Sequence, residues 1–240
     1  MRHGEPRARL APHGMTHLAR LLQFADSTLP IGSFAFSNGL ESALQTGIVA
    51  DASSLLQFVS LVLHQTARVD GVALLHAHRA ALADDYDGVV VADRELICRR
   101  VGEEQQAMLT RMGRKLAELA LKSSPSPMLE RWLADIRLDA TPGCLPIGQA
   151  VTLAHLGADE TEAFIVHQYG VASMILSAAL RLMRIDHFET QRILFAAQGR
   201  VEDDYLAVHD LALDEMAAFA PVFDVLVAHH TTVHVRLFMN

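Results

Sequence analysis

Asp159-Glu160-Thr161-Glu162-Ala163-Phe164-Ile165-Val166-His167-Gln168-Tyr169-Gly170-Val171-Ala172-Ser173-Met174-Ile175-Leu176-Ser177-Ala178-Ala179-Leu180-Arg181-Leu182-Met183 is the stretch that decides the fold. Asp159 followed three residues later by Glu162 reads as a capping box, in which each side chain satisfies a free backbone amide at the start of a helix. The helix it opens runs to about Met183. Its longest apolar run, Val171–Leu180, is bounded by Gln168 and Arg181. That run is too short to span a bilayer and fits a buried helix.

Helical periodicity continues outward on both sides. Leu129, Trp132, Leu133 and Ile136 form one stripe, and Met108, Met112, Leu116 and Leu119 form another at steps of three and four. Leu55, Leu56, Val59, Val62 and Leu63 share a face, with Asp51 placed to cap the helix that carries them. Toward the C-terminus, helical patterns cover Phe188–Ala197 and Ala207–His230, with Pro221 kinking or dividing the second. Val89-Val90-Val91 is the one compact β-branched run, and it has no period-two partner nearby. Asp26–Gly39, Ser123–Pro127 and Thr141–Pro146 break the pattern and read as connections. The expectation is an all-α fold: a single-domain, largely antiparallel helical bundle of about ten helices with no significant sheet. It occupies residues 17–228, behind a flexible N-terminal arm over residues 1–16.

Composition narrows the function classes. Of 240 residues, 51% are hydrophobic and 20% charged, which excludes a disordered chain. The formal net charge of -8 offers no basic face, so no nucleic-acid partner is expected. Lys115 and Lys122 are the only lysines. The positive charge is nearly all arginine, which suits directed contacts at protein interfaces. Cys98 and Cys144 are far apart and belong to no C-x-x-C pair, which fits a reducing cytoplasm. Early arginines (Arg2, Arg7, Arg9) are followed by His13, Thr16, His17 and Arg20 rather than an apolar run. That pattern is a polar arm, not a signal peptide, and no membrane partner is expected.

The chemistry-bearing motifs are sparse. A phosphate loop needs glycines ahead of Lys-Ser/Thr, but Lys122-Ser123 follows Leu121 within a helical pattern, so no NTPase site is expected. Ala35-Phe36-Ser37-Asn38-Gly39 falls one residue short of G-x-S-x-G and lacks the strand that a nucleophile elbow requires. His229, His230 and His234 cluster near the end. His230 and His234 are four apart and would share a helical face, but no Glu or Cys completes a metal set and H-E-x-x-H is absent. No catalytic residue and no intrinsically bound cofactor are expected. Two rivals stay open: a small serine hydrolase centred on Ser37, and a histidine-based metal-binding protein using His230 and His234.

Two stretches carry a family resemblance. Leu22 through Glu41 holds an Asp-Ser, a Leu-Pro-x-Gly, an aromatic and Ser-x-Gly-Leu-Glu, and it resembles the N-terminal signature of the urease accessory protein F (UreF) family. The end of the chain, from His230 to Arg236-Leu237-Phe238-Met239-Asn240, resembles that family's terminus. Leu145-Pro146-Ile147-Gly148 and Ala178-Ala179-Leu180-Arg181-Leu182 are similar to its internal segments. The resemblance covers roughly residues 17–240.

The resemblance implies an all-α homodimer that acts as a nickel-insertion chaperone. In that role it docks the UreD/UreH accessory protein and recruits or regulates the UreG GTPase. Ni²⁺ is then handled by the assembled complex and delivered to apo-urease. It also implies partner-binding roles for Phe34, Ser37 and Glu41 in the first motif. In the tail over residues 229–240 it implies the same for His230, Arg236, Leu237 and Phe238. Three departures stand out: Phe34 where the family often has Tyr, Thr231 where it commonly has Glu, and Cys144 where it often has His.

Overall fold

The structure, a computed structural model, describes residues 14–100, 102–217 and 237–238. Among these residues the fold is all helical, with ten helices and no strand. After α1 (Met15–Ala25) come a 3₁₀ turn (Ser33–Ala35) and α2 (Leu40–Gln45). One long helix then runs Ala52–Leu82. It comprises α3 (Ala52–Thr66), a π turn (Ala67–Gly71) and α4 (Val72–Leu82). The rest are α5 (Tyr86–Cys98), α6 (Glu103–Ser123), α7 (Pro127–Arg137), α8 (Leu145–His155), α9 (Glu160–Leu182), α10 (His187–Gln198) and α11 (Val201–Leu206). The run Val89-Val90-Val91 lies within α5, where Val89 is fully buried.

The starts of the helices are written locally. The Ser54 N–H donates to Asp51 Oδ1 at 2.8 Å while the Asp51 N–H donates to Ser54 Oγ at 3.0 Å. At α9 the Glu162 N–H donates to Asp159 Oδ1 at 2.8 Å, and the Asp159 N–H donates to Glu162 Oε2 at 2.9 Å. Each capping box satisfies two amides that the helix cannot, which contributes about 1 kcal/mol. Asp186 caps α10 with a single bond, accepting from the Glu189 N–H at 2.8 Å.

Two apolar clusters form the core, and α9 belongs to both. Ala163, Phe164, Val166 and Met174 pack with α4 through α8. Ala172, Ile175, Leu176, Ala178 and Ala179 pack with α2, α3 and α10. The helices Ala52–Leu82 and Glu160–Leu182 are long and apolar enough to cross a bilayer, but the apolar stretch of each is 72% buried inside the fold. Their neighbours supply the apolar surroundings that lipid would otherwise provide.

Three sequence expectations are corrected. Thr141–Pro146 is not wholly a connection, because Leu145 and Pro146 open α8. Residues 145–154 are all buried, so α8 has no polar face and leaves no periodic signature. The helix expected from Ala207 does not form. Residues 207–217 make turns and a short 3₁₀ helix (Leu213–Glu215) instead. Side chains from the long helix, and Arg99 just past the end of α5, take the carbonyls that a helix would use. His76 Nε2 meets Leu211 O at 2.8 Å, Arg79 donates to His209 O at 2.7 Å, Arg99 to Met216 O at 3.1 Å and Arg68 to Ala217 O at 3.3 Å. The remainder of that expected helix lies outside the described residues. Lastly, α1 begins at Met15, two residues ahead of the expected start of the bundle.

The π turn carries Asp70 into the interior. Gly71 permits this, because a Cβ there would lie 2.7 Å from the Phe164 ring. Asp70 pairs with Arg100 beside a cavity of about 260 Å³, and His167 Nε2 lies 3.7 Å from its other oxygen. Burial pushes the Asp70 carboxyl up, but the Arg100 charge and the His167 contact outweigh it and hold it below the ordinary carboxylate value. A carboxylate depressed in the folded state contributes stability that is fully present above its unfolded pKa, about 4, and lost as pH falls through the folded value. Urea midpoints are therefore expected to fall below pH 4, and Asp70→Asn is expected to flatten that acid dependence. An unchanged acid limb in the variant would refute the assignment.

Candidate partner-docking site

The N-terminal motif folds as a compact loop feeding a short helix. Asp26 Oδ1 accepts from the Thr28 N–H at 2.7 Å and the Thr28 hydroxyl at 2.8 Å, which turns the chain after α1. Gly32 (φ 92°) and Gly39 (φ 81°) take left-handed conformations on either side of the 3₁₀ turn. Those angles strain any residue with a Cβ, so replacing either glycine costs fold stability before it affects recognition. Phe36 turns inward and is buried, whereas Phe34 stands 70% exposed on the 3₁₀ turn.

Ser37 is fully buried, and its Oγ accepts a long 3.4 Å bond from the Glu41 N–H at the start of α2. A 3₁₀ turn precedes it, and no strand exists among the described residues to form a nucleophile elbow. Ser37 therefore sits without the geometry of a nucleophile elbow and instead helps to start a helix.

Glu41 is also buried, yet its carboxyl serves the far end of the chain. Oε1 accepts from the Leu237 N–H at 2.9 Å and Oε2 from the Phe238 N–H at 3.2 Å. Charge-assisted bonds of this kind are about twice as strong as neutral ones. The two residues so held point opposite ways. Phe238 is 5% exposed and joins the cluster of α2, α3, α9 and α10. Leu237 is 72% exposed. Burying a phenylalanine side chain contributes about 1.5–3 kcal/mol, so Phe238 is the apolar anchor of this end.

The third member comes from the last turn of α9. The Arg181 guanidinium carbon lies 3.7 Å from the Phe34 ring centroid and 4.2 Å from that of Phe238. Each cation–π contact at a partly exposed site contributes about 0.5–1 kcal/mol. Arg181 Nε also donates to Ser177 O at 3.3 Å, and its position suits the negative end of the helix.

The structure thus brings Phe34, Ser37, Glu41, Leu237 and Phe238 into one neighbourhood, across nearly 200 residues of sequence. His230, His234 and Arg236 lie outside the described residues. Sequence reasoning missed Arg181 as a site residue. It lies in the family-like stretch Ala178–Leu182, but a basic side chain near a helix C-terminus usually means no more than dipole compensation. Among the described residues no cluster of three or more His, Cys, Asp or Glu is arranged to hold a metal ion.

Comparison with known proteins shows the family. The sequence model of the UreF family matches residues 49–198, more than half of the chain. The urease accessory protein UreF of Yersinia enterocolitica is 47% identical over 225 residues, covering 93% of this chain and 98% of the relative. The UreF proteins of Yersinia pseudotuberculosis and Yersinia pestis match with the same identity and coverage. With both motifs meeting at one surface and similarity spanning nearly the whole of these relatives, the chain belongs to the UreF family of urease accessory proteins.

Proposed function

We propose that this chain is a cytoplasmic, homodimeric scaffold of urease maturation without catalysis or a resident cofactor of its own. It docks the UreD/UreH accessory protein and recruits or regulates the UreG GTPase. The Ni²⁺ destined for apo-urease is cargo of the assembled complex. The observation that carries this reading is the convergence of the two motif ends on one surface, where Phe34 and Leu237 stay exposed beside Arg181. Apolar and aromatic side chains beside an arginine are the groups that most often dominate interface energy. Exposed apolar groups set beside an arginine give a surface that a partner can cover.

Co-purification with the UreD/UreH protein tests the proposal. The intact chain is expected to retain that partner, and a chain ending at His230 is expected to lose it. Phe34→Ala is expected to weaken capture roughly 30-fold, the scale of an interface hot spot. Arg236→Ala is expected to keep helicity and dimer while weakening recruitment of the GTPase. Equal capture by the intact and shortened chains would defeat the proposal.

A further inference from the structure

We infer that Arg181 is the positioning residue that ties the C-terminal end of the chain to its N-terminal motif, making Phe34, Leu237 and Phe238 a single surface for a partner segment that pairs a carboxylate with an apolar anchor. The inference deepens the docking reading above and rests on it only for the identity of the partner.

Two independent constraints hold the end of the chain. Glu41 fixes its backbone through two N–H groups. Arg181 fixes side chains, because one guanidinium lies over the ring of Phe238 and over the ring of Phe34. The Glu41 bonds alone would leave Phe34 untouched, since that ring stands on the exposed 3₁₀ turn. Glu41 therefore joins the two motifs through the backbone, and Arg181 extends that joint to the Phe34 ring.

Among the described residues no carboxylate lies within ion-pair distance of Arg181. Other arginines here do spend their charge that way, Arg79 on Glu160 and Arg99 on Glu95. Partial burial lowers the Arg181 pKa, and a guanidinium stays charged nonetheless. A planar cation with rings against its faces keeps its N–H edges for a further acceptor. Arg181 is itself exposed, as are the Phe34 ring it covers and Leu237, the neighbour of Phe238. The complementary partner is a segment with an Asp or Glu to meet the guanidinium edge and an apolar residue to cover Phe34 and Leu237.

Hydrogen exchange on the full chain tests the inference without any partner, comparing the natural protein with Arg181→Met and Arg181→Lys. In Arg181→Met the Leu237 and Phe238 amides are expected to exchange roughly two- to fivefold faster, the scale of the one cation–π contact that Arg181 makes to Phe238. Arg181→Lys keeps the charge but not the plane, and it is expected to restore part of the protection. Amides within α9 are expected to stay protected in both variants, which separates loosening of the end from unfolding. Unchanged exchange at Leu237 and Phe238 in Arg181→Met would overturn the inference. Capture of the UreD/UreH protein by the same variants supplies the second arm. Loss in Arg181→Met with partial recovery in Arg181→Lys supports the surface as a unit. A loosened end with undiminished capture would leave the tie standing and overturn the docking role.

Discussion

Asp93→Ala is expected to destabilise the fold by about 4–6 kcal/mol, the order reached when several buried donors are stranded at once. Asp93 sits on α5 with no exposed surface, and its carboxyl accepts from four donors on other parts of the chain. Oδ2 accepts from Trp132 Nε1 at 3.1 Å, Thr141 Oγ1 at 2.8 Å and the Gly143 N–H at 2.9 Å, and Oδ1 accepts from the Cys144 N–H at 2.9 Å. Each unsatisfied buried donor costs about 1–3 kcal/mol, and partial relaxation keeps the total below the simple sum. A loss of that size is a large share of the 5–15 kcal/mol or so that holds a typical domain together. Urea unfolding followed by circular dichroism should show the midpoint falling by roughly 2 M, given a slope of about 2–3 kcal/mol/M. Asp93→Asn should fall between the two, since its amide keeps one acceptor but turns N–H groups toward other donors. A midpoint within about 0.5 M of the natural protein's would show that the hub does not hold the loop. Burial beside Asp93 also pushes the Cys144 thiol well above its ordinary pKa, which keeps it a neutral core residue at neutral pH.

The parts of the fold that were legible in the sequence are those whose physics is local. Asp51 and Asp159 declare helix starts because the amides they satisfy lie three residues away. The stripe of Met108, Met112 and Leu116 and that of Leu129, Trp132 and Ile136 mark α6 and α7 because one face of each is buried and the other is wet. Helix α8 escaped notice because it is buried all round, and burial on every side erases periodicity. The segment after Leu206 was misjudged for a different reason. Its apolar spacing suits a helix, but His76, Arg79 and Arg99 bind its carbonyls from more than 100 residues away. The same distance hides the site. Phe34, Glu41 and Phe238 could be nominated from motif resemblance, but the bonds from Glu41 to Leu237 and Phe238 cross 196 and 197 residues and leave no local trace. Arg181 lies in a segment that resembles the family, but nothing local in the sequence says which rings it meets. Asp93 was readable in principle: an acid among Val89, Ala92 and Leu96 on one helical face must be buried, and a buried acid must have donors.

Gly113→Ala makes the sharper test, because two effects of opposite sign compete at one position. Gly113 lies within α6, and intrinsic propensity favours alanine over glycine there by about 1 kcal/mol. Packing opposes it. A Cβ at Gly113 would lie 2.1 Å from Gly143 O and 2.7 Å from both the Cys144 carbonyl carbon and the Leu145 nitrogen. All three are backbone atoms, so no side chain can swing aside and the loop itself must retreat. That loop is the one Asp93 holds through the Gly143 and Cys144 amides, and it leads directly into α8. Retreat would stretch those bonds and shift α8 against α6, so we expect packing to win by a net loss of about 3 kcal/mol, at the upper end of overpacking costs. For a chain of this length that corresponds to a fall in Tm of roughly 6–12 °C. Gly148→Ala on α8 offers a milder comparison, since its Cβ would meet only the Trp132 ring edge, at 3.1 Å, and Gly113 O at 3.5 Å. Because Gly113 and Asp93 act on the same loop, the double variant with Asp93→Ala should lose less than the sum of the two single losses. A rise in Tm for Gly113→Ala alone would mean that helix propensity prevails and the loop is free to move, and the account of Asp93 as its anchor would fall with it.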